Sequence, residues 1–528
     1  MTLLVQFRLW LRGASVTERA STAVATMLVV ILLAWALGPA PAGRIGQPFD
    51  GGALVPTGDG LGADAGAGIT DDGALGAVSP GVSATTSSTL PGARDTIIEP
   101  RPASGHEGTA GSVPTGPLTA TDRGVTAEAI KVGFTVIDLA GIDELGISPN
   151  VRPDASRAID AFVDYANKRG GVLGRRIEAF KVKPQLLNTD HQRQKCVELT
   201  QTHGVFAVMD SFAFGAETST ACITAENKTL LLNGNPGSAD NVRLGFPYHV
   251  SVHKDDNRKM KDLAAAAKAS GFFDPATGFR KLGIFSDACI SSSSIFDSPT
   301  EGLKAYLTAA GVKGWSEFRI SDCDPAGAQR GGAQAVVQFK DDGVTHVLLA
   351  SRPPVVESYL NAAGSARYYP KYFSGDYMNL AVGGLTDKYE PEGFDGALGV
   401  TQTHAGEGAI GKPLPPLTQT CSEILTDHGL EPISSAPPRD ISDDIEVLEL
   451  CESFLLFLQV ATAAGPDLTR ATWVNALAGI GDFRAAVVDL ARFDRRGKMT
   501  GGDTVKLIKW HRSCTCWHEL TDFGPAAG

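Results

Sequence analysis

From residue 124 to residue 510, short apolar runs alternate with amphipathic helical patterns, and this alternation leaves few folds open. The runs lie at 130–136, 205–209, 229–232, 282–285, 346–350 and 398–401, and the helical patterns at 156–168, 191–203, 256–270, 299–310, 333–341 and 355–363. Strand, helix, strand in repetition predicts a parallel sheet with helices on both faces. A longer helix follows at 445–464, with apolar residues spaced close to 3.6 apart, and 486–493 and 505–510 read as closing strands. Roughly 400 residues of this pattern exceed one ordinary core and fit two doubly wound lobes. In such sheets ligands bind beyond the carboxyl ends of the strands, where helix N-termini offer free N–H groups.

The first 123 residues have a different texture. Residues 23–37 are apolar and uncharged, with Arg8, Arg12 and Arg19 before them and Ala40-Pro41-Ala42 after. That arrangement suits a signal peptide. It also suits an uncleaved anchor over 20–42, because 18 residues precede Gly38 from Ala20. The length of the segment ahead of the apolar run tips the reading toward the anchor. Either way the arginines keep residues 1–19 in the cytoplasm and export the rest to the cell envelope. Residues 43–123 are dominated by Gly, Ala, Ser, Thr and Pro, have almost no aromatics and show no sustained period. Such a segment buries too little apolar area to offset its ordering entropy and is expected to be a disordered linker.

Composition narrows the function. Hydrophobic content of 43% and charged content of 20% are those of a globular protein. A formal net charge of −12 excludes a general nucleic-acid binder, which needs a basic face for phosphates. Export makes disulfides the expected state of the eight cysteines, Cys196, Cys222, Cys289, Cys323, Cys421, Cys451, Cys514 and Cys516. Cys196 and Cys222 fall on successive helical patterns of neighbouring units. A bond between them would stabilise by ~3 kcal/mol, and two buried thiols are the alternative.

Three stretches carry a family resemblance. The first is the opening unit, with Gly124-Val125-Thr126 before the run at 130–134, then a helix ending in Asn167, Gly170, Gly171 and Gly174, then a strand from Arg175. The second is the strand at 281–287, which leads to the helix at Pro299. The third is Phe493-Asp494-Arg495-Arg496-Gly497 followed by the strand at 505–510. In this order they resemble the type I periplasmic solute-binding family, the leucine/isoleucine/valine-binding receptors of bacterial ABC importers. The resemblance implies an α/β clamp of two Rossmann-like lobes joined by a three-strand hinge. It places lobe one at 124–252 and 404–482 and lobe two at 253–403 and 483–521. It further implies an extracytoplasmic capture protein that closes on an amino acid or small amide, passes it to an ABC permease, uses no cofactor and catalyses nothing. A membrane-tethered sensor built on the same clamp is the alternative.

The same resemblance implies the ligand loops. The loop at 210–215 brings Ser211, Phe212 and Phe214, with Ser211 as the hydroxyl that meets a ligand carboxylate. Gly234 and Asn235 stand in a second carboxylate-binding loop. Lobe two contributes Ser292 and Ser293, then Ser351 and Arg352, then Asp376 and Tyr377, with Asp376 matching the acid that receives an α-ammonium. Each has a simpler reading. Ser211 could cap a helix, the serines could form a solvated turn, Arg352 could pair with Glu357, and Asp376 could cap a turn. Arg352 would also suit a second carboxylate, so neither leucine nor valine is singled out.

Other chemistry finds little support. Gly58–Ala63 has glycines like those of a dinucleotide turn, but no strand precedes it and no helix follows. There is no Gly-x-Ser-x-Gly elbow, no phosphate loop and no His-Glu-x-x-His. His511, Cys514, Cys516 and His518 could hold zinc or copper. Strand alternation puts Cys514, Cys516 and His518 on one face, and a disulfide is the expected use of the two sulfurs.

Overall fold

Asn167 shows how the first unit is built. In the computed structural model its side chain donates to the Ile177 carbonyl at 3.0 Å and accepts from the Ile177 N–H at 2.7 Å. It thereby ties the end of helix α1 (Ala155–Lys168) to strand β2 (Arg176–Val182). Gly171 has φ +63°, and a Cβ there would collide with the Arg175 carbonyl, so this turn admits only glycine. Helix α1 buries Ala155, Ala158, Ile159, Ala161, Phe162 and Ala166, a spacing of three and four that lays one face on the sheet.

The structure describes residues 118–138, 152–185, 188–211, 219–288, 297–322, 324–376, 389, 391–434 and 441–526. They fall in one unit, Ile98–Gly528. The expected anchor at 20–42 and all but the end of the linker lie outside the described residues.

Two parallel sheets organise the chain. The first contains β1 (Ala129–Thr135), β2, β3 (Ala207–Asp210), β4 (Leu230–Asn233) and β5 (His249–Val250), in the order β2-β1-β3-β4-β5. The second contains β6 (Leu282–Asp287), β7 (Trp315–Ile320), β8 (His346–Ala350), β9 (Lys371–Ser374) and β10 (Leu398–Thr401). It repeats the same order as β7-β6-β8-β9-β10 and then adds antiparallel β13 (Thr504–His511) and β14 (Cys516–Glu519). A two-stranded ribbon, β11 (Gly481–Phe483) and β12 (Ala491–Phe493), lies between β10 and β13 in sequence.

Strands β1, β3, β4, β6 and β8 are buried almost throughout, which is why each reads as a continuous apolar run. Strands β7 and β9 escaped the sequence reading. The first is an edge strand that buries only Ser316 and Ile320, and the second has four residues. The strand expected over 486–493 is a strand only at β12. Residues 485–488 are buried but run as a connecting segment.

Around the first sheet pack α1, α2 (Thr189–Val197), α3 (Ala239–Leu244), and later α8 (Pro416–Asp427), α9 (Ile445–Ala464) and α10 (Arg470–Leu477). Around the second pack α4 (Asp256–Ala269), α5 (Asp297–Ala309), α6 (Pro325–Asp341) and α7 (Pro353–Ser365). Helix α9 is long and apolar enough to cross a membrane, yet 67% of its most apolar window is buried inside the fold. It is the core helix of the first lobe, with Phe454 edge-on to Phe134 at 5.5 Å and Phe457 against Trp473 at 6.2 Å. In the second lobe Phe285 stacks on Tyr359 at 4.4 Å, and Phe394 meets Trp510 at 5.4 Å.

Disulfides brace the first lobe. Cys196–Cys222 joins α2 to the helical segment Ser219–Glu226, and Cys421–Cys451 joins α8 to α9. All four of these cysteines are fully buried. Cys514–Cys516 closes the tip of the β13–β14 hairpin. Cys289 and Cys323 lie outside the described residues.

Candidate functional site

Both sheets reverse direction beside their first strand, between β1 and β3 in one and between β6 and β8 in the other. A reversal splays the helices apart and leaves a crevice at the carboxyl ends of those strands. The residues at these ends are therefore the candidates for ligand contact.

In the second lobe an internal ion pair lies at these strand ends. Asp287 ends β6 and Ser351-Arg352 follow β8. The Asp287 carboxylate accepts from the Ser351 hydroxyl, from the Arg352 N–H at 2.9 Å, and from the guanidinium at 3.2 and 2.9 Å. Burial pushes this carboxyl up, but the Arg352 charge and these hydrogen bonds outweigh it and hold it below the ordinary value. Arg352 is thus engaged by Asp287.

Asp376, just past β9, is 5% exposed. One of its oxygens accepts from the Gln402 N–H, and the Thr401 hydroxyl also hydrogen-bonds to this carboxyl. Burial raises its pKa against the pull of those two hydrogen bonds and of Lys259 and Lys254. Lys254, Lys259, Asp262, Asp376 and Gln402 line one small cavity. Within it Lys254 pairs with Asp262, and Lys259 pairs with Asp256.

In the first lobe the crevice is acidic. Asp210 ends β3 and accepts from the Thr135 hydroxyl at 2.7 Å. The first turns of α9 bring Glu446, Glu449 and Glu452, three residues apart and so on one face, to the ends of β1, β3 and β4. Glu446 accepts from the Ile137 N–H at 3.2 Å. Burial, with Asp210 nearby, pushes it up to about 7. Glu449 is fully buried against Gly234, and a Cβ on Gly234 would collide with its carboxyl group. Burial, then the charge of Glu452, drives its pKa well above the ordinary value. Ser211 is fully buried, and among the described residues its hydroxyl has no hydrogen-bond partner.

Three segments cross between the lobes, and Glu452 clasps two of them. Its carboxylate accepts from the Ala486 and Val487 N–H groups at 2.9 and 2.8 Å and faces His253 Nε2 at 2.9 Å. Residue 253 follows β5, and 486–487 precede β12. The third crossing follows β10, where His404 donates its N–H to Val487 O and Asp489 donates to Gln402 O. Ser251 and Gly501 add a further rung to the first crossing.

The sequence-predicted residues divide accordingly. Ser211, Gly234 and Asn235 lie at strand ends of the first lobe, and Ser351, Arg352 and Asp376 at strand ends of the second. Phe212, Phe214, Ser292, Ser293 and Tyr377 lie outside the described residues. Cys514 and Cys516 are bonded to each other with His518 Nε2 3.4 Å from Cys514, so the disulfide leaves no thiolate there for a metal. Sequence reasoning missed Asp287, His253 and the three glutamates of α9. The available signal was three acidic residues spaced three apart inside an otherwise apolar helix.

The comparisons with known proteins agree with this architecture. The family described as periplasmic binding protein matches residues 136–409. An ABC transporter substrate-binding protein from Desulfitobacterium hafniense, solved with Leu, superposes with a TM-score of 0.53 at 15% identity, covering 74% of this chain and 100% of its own. A fatty acid ABC transporter substrate-binding protein from Thermomonospora curvata gives 0.54 at 16% identity, covering 78% and 95%. A solute-binding protein from R. palustris in complex with 4-hydroxybenzoate gives 0.56 at 15% identity, covering 76% and 98%. At such identities the likeness is one of fold. None of the curated proteins matches this chain in sequence.

Proposed function

The chain belongs to the periplasmic binding protein family, and from that premise we propose that it captures an amino acid or related small polar ligand between two closing lobes for an ABC permease. Membership in that family makes it an extracytoplasmic binding protein and not an enzyme. The proposed lobes are 124–252 with 404–482 and 253–403 with 483–521, and the proposed tether is residues 20–42.

The observation that carries the reading is the pair of parallel sheets of identical strand order, linked by three crossing segments, with polar side chains at the carboxyl ends of both. Closure would be a hinge motion about those crossings, and the closed form is what a membrane partner would recognise. The proposed contacts are Ser211, Phe212, Phe214, Gly234 and Asn235 from lobe one. Ser292, Ser293, Ser351, Arg352, Asp376 and Tyr377 are the proposed contacts from lobe two. Asp376 is the favoured acceptor for an ammonium group, because it is a buried carboxyl just past the end of β9 that lines the small cavity with Lys254, Lys259, Asp262 and Gln402.

A thermal-shift screen of the full chain against amino acids, amines, amides and aromatic acids tests this. A ligand present at about a thousand times its Kd stabilises by ~4 kcal/mol. Asp376→Asn should weaken an ammonium-bearing ligand. The absence of a shift with every compound would overturn the proposal.

A further inference from the structure

The tip of the β13–β14 hairpin gathers two sulfurs and two imidazoles. His511 ends β13 and pairs with Cys516, which opens β14; Cys514 precedes it in the turn and His518 follows it on the strand. The sulfurs of Cys514 and Cys516 and a ring nitrogen of His518 lie within 4.8 Å of one another, with His518 Nε2 3.4 Å from the Cys514 sulfur. The His511 ring lies against that of His518, with centroids 4.2 Å apart. Leu398, which opens β10, pairs with Lys509, two residues before the end of β13. The tip therefore lies at the amino ends of the parallel strands, away from the crevice, and the proposed solute capture does not use it.

This disulfide differs from the two that brace the first lobe. Those join fully buried cysteines 26 and 30 residues apart. Cys514 and Cys516 are two residues apart. So short a ring removes little freedom from the unfolded chain, and opening it costs the fold little. Cys514 is only partly buried, so a nucleophile can reach its sulfur, whereas Cys516 is 6% exposed. Thr515 between them has φ +51°, a left-handed conformation that strains a β-branched residue. The hairpin does not depend on the bond. Its strands pair from Ile508 to His511, and Trp510 and Trp517 both pack on Phe394, at 5.4 and 5.7 Å. An opened bond thus leaves two thiols and an imidazole side by side on a fixed element.

We propose that Cys514–Cys516 is an exchangeable disulfide whose reduced form binds a thiophilic metal cation through both sulfurs and His518. The exchange partner is a dithiol. One of its thiolates attacks the Cys514 sulfur; the Cys514–Cys516 bond breaks, and its electron pair leaves with Cys516, which takes a proton. The second thiolate attacks the mixed disulfide, releases Cys514 to take a proton, and leaves the reductant as its own disulfide. The cation then displaces the two thiol protons. Metal–ligand lengths of about 2.0–2.3 Å require only side-chain rotation from donors already within 4.8 Å. Two thiolates and an imidazole suit Zn2+ or Cu+, and not Mg2+ or Ca2+, which prefer oxygen. Lys509 lies opposite His518, and two thiolates neutralise a divalent ion, so the loaded site presents no net charge to it.

The test has two stages on the full chain. First, the chain is equilibrated in dithiothreitol buffers of graded oxidised-to-reduced ratio, trapped with iodoacetamide and read peptide by peptide by mass spectrometry. Cys514 and Cys516 should be alkylated at ratios that leave Cys196–Cys222 and Cys421–Cys451 closed. Second, the opened chain, freed of reductant without air, is titrated with Zn2+ by calorimetry and with Co2+ by absorption. Zn2+ should bind, Co2+ should give a thiolate charge-transfer band with the intense visible bands of a tetrahedral site, and Mg2+ should give no heat. The double variant Cys514→Ser, Cys516→Ser should lose the Co2+ bands and this Zn2+ site. His518→Ala, which keeps both sulfurs, should weaken Zn2+ by at least the ~10–100-fold that loss of an outer-shell partner causes. Circular dichroism should show both variants folded, because the substituted side chains leave the Trp510–Trp517 face of the hairpin intact. Opening no earlier than the buried disulfides, or Zn2+ binding unchanged in the double variant or in His518→Ala, would overturn the proposal and leave the solute-binding proposal standing.

Discussion

Glu452 offers the sharpest test of how the two lobes are joined. Its side chain is fully buried and accepts from two backbone N–H groups, Ala486 and Val487, on one crossing segment, while meeting His253 on another. Glu452→Ala removes the acceptor and leaves both N–H groups in a dry interior. A buried donor left bare costs about 1–3 kcal/mol, so two give about 2–6 kcal/mol before the lost His253 contact is counted. Glu452→Gln keeps one carbonyl oxygen for the backbone pair and turns an NH2 group toward the imidazole, so its loss should be about half as large. Urea unfolding of wild type and both variants, followed by far-UV circular dichroism, gives the ordering. The midpoint should fall in the order wild type, Gln, Ala, with little change in slope. An Ala variant within about 0.5 kcal/mol of wild type, the range of an ordinary surface substitution, would refute the view of Glu452 as the clasp of the hinge.

Two further outcomes follow from other buried charges. Arg352→Ala would strand Asp287, whose side chain is 1% exposed, and should destabilise by about 3–5 kcal/mol. Because the folded pKa of Asp287 lies below its ordinary 3.8, the stabilisation in wild type is fully present above pH 3.8 and is lost as pH falls through the folded value. The variant should lack that acid-limb loss in a pH series of urea midpoints. His249, wholly buried with Nε2 3.1 Å from Asn233, is pushed down from 6.5 to about 4 by burial. The unfolded chain therefore binds a proton that the folded protein refuses. Stability should fall by about 3 kcal/mol as pH drops from 6.5 to 4. His249→Gln should flatten that slope, and an unchanged slope would assign the acid sensitivity elsewhere.

The parallel α/β architecture was legible in the chain because its signals are local. Strands buried on both faces must be apolar throughout, so β1, β6 and β8 announce themselves. The turn after α1 was legible for the same reason. Asn167 and Gly171 satisfy geometry within ten residues of themselves. Short or half-polar strands such as β7 and β9 carry no comparable signal, because their pairing partners decide their conformation.

Tertiary structure alone decided what each polar residue faces. Arg352 reads in sequence as a ligand contact or a partner of Glu357, yet Asp287, 65 positions away, uses it. Glu449 reads as one polar residue on an apolar helix, yet it lies against Gly234, on a strand end more than two hundred residues earlier. The sequence by itself determined the type of fold and the end of the sheets that carries polar side chains, since backbone hydrogen bonding and burial periodicity are properties of short segments. The electrostatic character of the cleft depends on which charges from distant segments are desolvated together, and only the folded chain brings those segments into contact.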